Sequence, residues 1–253
     1  ERAIIDLVWR FGPVSRKSIA ELSGLTGASA TRLTRRALDL GLIEEEVAYS
    51  GAVGNPSRPL QRAQHGFYSL GVCFSQTEVE AALVDLNGVV VETTKAAVTN
   101  ITVVEIAEFV SDVLNASRAL RHQGRLLGVG LAVPGYRTLQ PGHWAMHWDF
   151  QQLMALDLEG ELSRRLKVPV HAERDAVAVA WAERLNGVSK TIQSFFLVYL
   201  GLGVGGALMA DGHPMLGRHG NAGGLGELFP YEHPRPSATD LQAHLLRDSI
   251  ELA

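Results

Sequence analysis

Gly201-Leu202-Gly203-Val204-Gly205-Gly206 runs directly into Ala207-Leu208-Met209-Ala210 and then Asp211-Gly212. The glycines match the G-x-G-x-x-G fingerprint, which cradles a pyrophosphate only where a helix starts immediately behind it. Here four apolar residues end in an Asp-Gly turn, so the pattern predicts a strand and excludes a dinucleotide site. What remains is a glycine-rich hairpin, with strands over 194–200 and 205–209, that brings backbone amides towards a ligand.

Outward from that hairpin, residues 67–74, 78–86 and 89–92 read as strands, the second and third joined by a two-residue Asn87-Gly88 turn. An amphipathic helix is predicted over 102–120, with Val103, Ile106, Phe109, Val110 and Val113 on its apolar face. A strand over 126–133 closes at Pro134-Gly135; a helix over 156–166, a strand over 168–172 and a helix over 176–185 follow. Hairpins feeding β-α units predict α/β lobes with mixed sheets.

The N-terminal part has a different order. Ile4, Ile5, Leu7, Val8 and Phe11 recur at helical spacing until Gly12-Pro13 stops them. Ser15 is placed to cap a short helix over 16–22, Ser23-Gly24 makes a turn, and Thr26 caps a third helix that runs to Leu40 and closes at Gly41. Leu42-Ile43-Glu44 and Leu60-Gln61-Arg62 read as strands around a Gly/Pro/Asn loop over 51–59. Helix, helix, turn, helix, hairpin is the order of a winged helix-turn-helix.

In the third helix Ala30, Leu33, Ala37 and Leu40 are expected inward, and Ser29, Thr31, Arg32, Arg35 and Arg36 outward. A helix entering the major groove needs small residues at its start, here Gly27, Ala28 and Ser29, with hydroxyls and guanidinia to reach bases and phosphates. Arg58 on the loop would enter the minor groove or hold a phosphate. A small helical domain with a solvated basic face is the competing reading. The ordered combination favours double-stranded DNA as partner.

Composition is compatible with both parts. The 253 residues are 46% hydrophobic and 20% charged, ordinary for a globular protein. No apolar run approaches the length of a membrane span and nothing resembles a signal peptide, so no membrane partner and a cytoplasmic location are expected. Cys73 is the single cysteine, which excludes an internal disulfide and a thiolate zinc cluster. The net charge of −4 divides unevenly: residues 1–62 hold nine Lys/Arg against seven Asp/Glu, and the remainder fourteen against twenty. A weakly basic head on an acidic body suits local contact with nucleic acid. The sequence starts at Glu1 without a Met and residues 239–253 read as an amphipathic helix cut short, so a piece of a longer chain is expected, incomplete at its C-terminus.

Leu70-Gly71-Val72 with Thr77, Gly128 to Gly135, Asp175-Ala176 with Glu183, the 201–206 glycines and the Gly217–Gly223 segment occur in an order that resembles the ROK family. That family contains sugar kinases of the actin-like ATPase fold and repressors with a preceding winged helix-turn-helix. The resemblance implies a winged helix-turn-helix over 1–63, a first sugar-kinase-like lobe over 66–183 and a partial second lobe over 184–253. It also implies departures. Where the family has Asp and a Gly-Gly-Thr turn for phosphates and metal, this sequence has Cys73 and Ser75-Gln76-Thr77; a thiol is a poor anchor for magnesium, and side chains obstruct close approach to phosphate.

Asp175 matches the family's catalytic base, but Arg174 replaces the preceding Asn, and its charge is expected to lower the pKa of Asp175 and weaken it as a base. The same carboxylate can equally cap a helix starting at Ala176. The family's Gly-Glu-x-Gly-His motif is displaced, leaving Gly224 and Glu227 at its Glu and His places, so zinc is not expected. The resemblance therefore implies no catalytic residue, no cofactor and no metal. An effector site would be drawn from Arg174, Asp175, Gly135, His219, Asn221 and Glu227, and its ligand would be a sugar or derivative other than glucose or N-acetylglucosamine. His143, Trp144, His147, Trp148 and Asp149 form a polar-aromatic cluster that reads as loop packing before a sugar or metal contact.

These observations converge on a DNA-binding regulator that represses from a palindromic operator as a homo-oligomer, dimer or tetramer, under a sugar-derived effector. A sugar kinase using ATP and a repressor governed by a protein partner remain the alternatives.

Overall fold

The computed structural model describes residues 2–46, 58–63, 66–122, 124–200 and 204–225. Gly201, Leu202 and Gly203 of the glycine turn, Glu227, the segment expected as a helix over 239–253, and the 51–59 loop apart from Arg58 and Pro59 lie outside the described residues. Contacts divide the chain into two compact units. One comprises residues 1–69, 84–91 and 118–127, the other residues 70–83, 92–117 and 128–253.

The first unit opens with α1 (Arg2–Phe11), α2 (Arg16–Ser23) and α3 (Gly27–Asp39), then β1 (Ile43–Glu45) and β2 (Leu60–Arg62). The short polar caps decide where the helices start. The Ser15 side chain accepts from the Ser18 amide and that of Thr26 from the Ser29 amide, while Gly24 ends α2 in the left-handed region at φ 67°. β1 and β2 pair antiparallel with Glu45 opposite Leu60, and Val14 bridges to Leu60. Ile4, Val8, Val14, Ile19, Ala30, Ala37, Ile43 and Leu60 form the buried cluster.

One inward residue is corrected. Leu40 is 47% exposed, and Thr34 is buried instead, its hydroxyl donating 3.0 Å to the Thr31 carbonyl. Positions 30, 34 and 37 keep one face, whereas α3 ends at Asp39 and Leu40 has already left that face.

The remaining elements are β3 (Phe67–Phe74), β4 (Glu78–Asp85), β5 (Val90–Ala97), α4 (Val103–Ala116), α5 (Arg118–Arg121), β6 (Arg125–Val133), β7 (Gly135–Arg137), β8 (Trp144–Met146), a 3-10 turn at Trp148–Phe150, α6 (Gln151–Met154), α7 (Leu158–Leu166), β9 (Val170–Arg174), α8 (Asp175–Asn186), β10 (Phe195–Leu200), β11 (Val204–Ala210) and β12 (His213–Pro214). Five strands make one sheet in the order β5-β4-β3-β6-β9, with β6 and β9 parallel, and β10-β11-β12 make a second. β7 and β8 pair by themselves.

The alternation of β3 buries Leu70, Val72 and Phe74 on one side and exposes Cys73 on the other. α8 lies on β10 and β11, burying Ala176, Val177 and Ala180 with Ala207 and Met209. Val204–Ala210 is a strand antiparallel to β10, the arrangement that the Asp211-Gly212 turn predicts.

Three local expectations differ from the structure. Four residues, Leu86 to Val89, separate β4 from β5, because the Asp85 carboxylate accepts from the Asn87 and Val89 amides and the Asp85 amide donates to the Val89 carbonyl across Gly88 at φ 79°. The helix expected over 102–120 stops at Ala116, where Ser117 turns extended and is buried, and α5 follows separately. α8 starts at Asp175, not Ala176, with Arg174 in the cap position and no side-chain cap bond.

Candidate functional site

α3 exposes Thr31, Arg32, Arg35 and Arg36 together, and Ser29 is half-buried beside them. The Thr31 hydroxyl donates 2.8 Å to the Gly27 carbonyl and keeps only acceptor capacity. A groove of about 620 Å³ runs between α2 and α3, lined by Arg16, Lys17, Ala20, Gly24, Gly27 and Thr31. Arg58, just before β2, donates from Nη1 to Glu45 Oε2 at 3.2 Å. Glu45 also accepts from Arg16 Nη2 at 2.6 Å. The Arg16 and Arg58 guanidinia, Arg16 foremost, hold the Glu45 carboxyl below the ordinary carboxylate range. Arg16 and Glu45 are residues that sequence reasoning missed. The signal was an arginine directly after the Ser15 cap and an acidic run, Glu44-Glu45-Glu46, on the strand facing it.

In the body, Asp175 is set by the junction between β9 and α8. Its carboxylate accepts from the Ala176 amide at 2.7 Å, yet burial raises its pKa to about 6 against the smaller opposing pull of that amide and of Arg174. This corrects the expected lowering. The Arg174 guanidinium is buried and turned away, donating to the carbonyls of Gly206 at 2.9 Å, Ala222 at 3.1 Å and Asn221 at 3.5 Å, over the Tyr136 ring at 5.7 Å. Its Nε is buried with no partner among the described residues. Partial burial foremost, and then the charge of Glu80, pushes the thiol of the otherwise exposed Cys73 up, with Lys95 opposing, which favours its neutral form.

The β3–β4 turn satisfies itself. The Ser75 hydroxyl accepts from the amides of Thr77 at 3.3 Å and Glu78 at 3.1 Å. Gln76 donates across to Asp149, whose carboxylate also meets His147 Nδ1 at 2.8 Å.

The segment 217–224 is fixed by a side chain that imitates a strand. Asn221 Oδ1 accepts from the Arg137 amide at 2.9 Å, and its Nδ2 donates to the Arg137 carbonyl at 2.8 Å. The Arg137 side chain lies over buried Trp144 at 4.6 Å and pairs with Glu173 at 3.5 Å. Gly135 lies in β7 so close to β8 that a Cβ would fall 2.5 Å from the Ala145 carbonyl oxygen. Gly206 likewise has no room, since a Cβ would meet the Gly223 carbonyl.

Of the expected effector residues, Arg174 and Asn221 therefore come together, Gly135 lies in β7, whose Arg137 holds Asn221, His219 is exposed, and Glu227 is outside the described residues. His143 Nδ1 sits 2.9 Å from the Pro141 carbonyl, and the Trp148 side chain is outside the described residues. Among the described residues no group of three His, Cys, Asp or Glu side chains is arranged to hold a metal, and no helix is long and apolar enough to cross a membrane. Chemically, a buried carboxyl that titrates near 6 can accept from or donate to a hydroxyl near neutral pH.

The five-stranded and three-stranded sheets, the junction from β9 into α8 and the β10–β11 pair make this an α/β protein. The model of the ROK family matches residues 69–235, and the chain belongs to that family. An uncharacterised protein of Sinorhizobium fredii, y4fQ, is 36% identical over 262 residues, covering 100% of this chain and 67% of its own length. The DNA-binding transcriptional dual regulator NagC of Escherichia coli is 27% identical over 235 residues, 89% of this chain and 56% of NagC. A crystal structure described as a ROK family transcriptional regulator, homologous to the E. coli MLC protein, superposes with a TM-score of 0.74 at 26% identity over 92% of this chain and 59% of its own. Sugar kinases also match, a glucokinase of Halalkalibacterium halodurans over 47% of this chain. The chain thus spans 56% of NagC and 67% of y4fQ.

Proposed function

We propose that the chain is the DNA-reading and effector-sensing part of a transcriptional repressor, with a winged helix-turn-helix over 1–63 and a sugar-kinase-like body that does not catalyse. The observation that carries this reading is the exposed Thr31, Arg32, Arg35 and Arg36 face of α3, behind a start small enough to approach a groove and a capped turn from α2. NagC, which is named as DNA-binding, matches 89% of the chain. The repressor acts as a homo-oligomer on two half-sites, and a sugar or sugar derivative near Arg174 and Asp175 shifts it between two states.

Substituting Arg32, Arg35 and Arg58 together by Ala removes three contacts of about 1–3 kcal/mol each, so affinity for a duplex enriched from a random pool drops at least about a hundredfold. Unchanged affinity in a mobility-shift titration, with the variant still folded, would discard the reading.

The kinase alternative keeps one specific observation in its favour. A carboxyl with a pKa near 6, as Asp175 has, is suited to a general base. Against it stand the self-satisfied Ser75 turn and the neutral thiol of Cys73 where phosphate and magnesium would be held.

A further inference from the structure

Arg16 and Arg58 are 42 residues apart, yet they are joined through one carboxylate and one carbonyl. Glu45 takes Arg16 Nη2 on Oε1 at 2.6 Å and Arg58 Nη1 on Oε2 at 3.2 Å, and Arg16 Nη1 donates to the Arg58 carbonyl at 3.4 Å. Glu45 ends β1 directly opposite Leu60, so strand pairing fixes where the carboxylate stands. Arg16 lines the groove that also contains Gly27 and Thr31 of α3. The Arg58 side chain keeps 69% of its surface exposed while Arg16 and Glu45 are about 30% exposed, so the guanidinium of Arg58 stays open to a ligand while one of its Nη atoms is held by Glu45.

We infer that Glu45 is a positioning residue that aims Arg16 and Arg58 as a pair at the sugar-phosphate edge beside the groove read by α3. This rests on the DNA-binding reading and adds to it, because the bare charge of Glu45 would predict the opposite behaviour. A carboxylate facing a polyanion repels it, so a bystander Glu45 should weaken every duplex alike. A carboxylate that orients two planar guanidinia gives up some attraction and gains registry, since Arg makes fixed two-pronged contacts where Lys is a point charge.

The test uses the whole chain, one duplex enriched from a random pool by the wild type, and one unselected duplex of the same length. Glu45→Gln is expected to lose about tenfold in affinity for the enriched duplex while the unselected duplex binds equally or more tightly, so that selectivity falls. Arg58→Lys, at an exposed side chain that leaves the fold intact, is expected to lose a similar factor. The double variant should lose no more than either alone. Parallel tightening of both duplexes by Glu45→Gln, or losses that simply multiply in the double variant, would overturn the inference. Should Glu45→Gln fail to fold, retention of selectivity by Arg58→Lys would overturn it equally, and its loss would support it. If the wild type enriches no sequence at all, the DNA-binding reading itself falls and takes this inference with it.

Discussion

Asp175 is held by two opposing influences, and their balance is readable in solution. Burial favours its neutral form, and the Ala176 amide and Arg174 only partly offset this, leaving the pKa at about 6 instead of 3.8. A carboxyl raised on folding is protonated in the folded state while the unfolded chain has already ionised. Its penalty is therefore absent below about pH 4, grows between about 4 and 6, and is complete above, amounting to about 3 kcal/mol. Asp175→Asn keeps the acceptor for Ala176 and removes the charge. Thermal melts should show the variant several degrees more stable at pH 8 and equal to the wild type near pH 4; identical melts at pH 8 would show that the carboxyl is not buried against its charge. The residue was legible in the sequence but its acidity was not. The reading assumed that a neighbouring guanidinium stays beside its carboxylate, whereas Arg174 reaches for three carbonyls contributed by β11 and by a segment 47 residues further on.

Elements were legible where their ends are decided by adjacent residues. Ser15 and Thr26 announce α2 and α3 because a cap is a bond between near neighbours, and Thr102 does so for α4 through a reciprocal pair with Glu105. Thr102→Ala removes the half of that capping box in which the hydroxyl accepts from the Glu105 amide, and urea unfolding should register a loss of about 1 kcal/mol, with faster amide exchange at Glu105. An unchanged urea midpoint would count against the cap. Ends decided by packing were misread. The sequence extended α4 to residue 120, since nothing in its local pattern says that Ser117 will be buried and extended. The loop after Asp85 was misread for a related reason: Asn87-Gly88 fits a two-residue turn, but Asp85 competes for the same amides and lengthens it.

At the scale of the whole molecule, the alternation of strands and helices was enough to place the chain in its fold class, while the surroundings of its site depended on long-range approach. From the sequence Ser75 is an obstruction to phosphate; in the structure it is an acceptor that uses the Thr77 and Glu78 amides. Titration calorimetry with magnesium-ATP, with and without hexoses, is accordingly expected to give no heat and no turnover above background. Turnover abolished by Asp175→Asn would move the chain to the kinases of its family. Asn221 carries a consequence of its own. Both bonds that fasten the 217–224 segment to Arg137 leave from one side-chain amide, so they form and break as a unit, through rotation about that side chain alone. A ladder of backbone rungs would have to peel, but this link to Arg137 comes apart in one motion, leaving the segment on the Arg174 bonds to the Asn221 and Ala222 carbonyls.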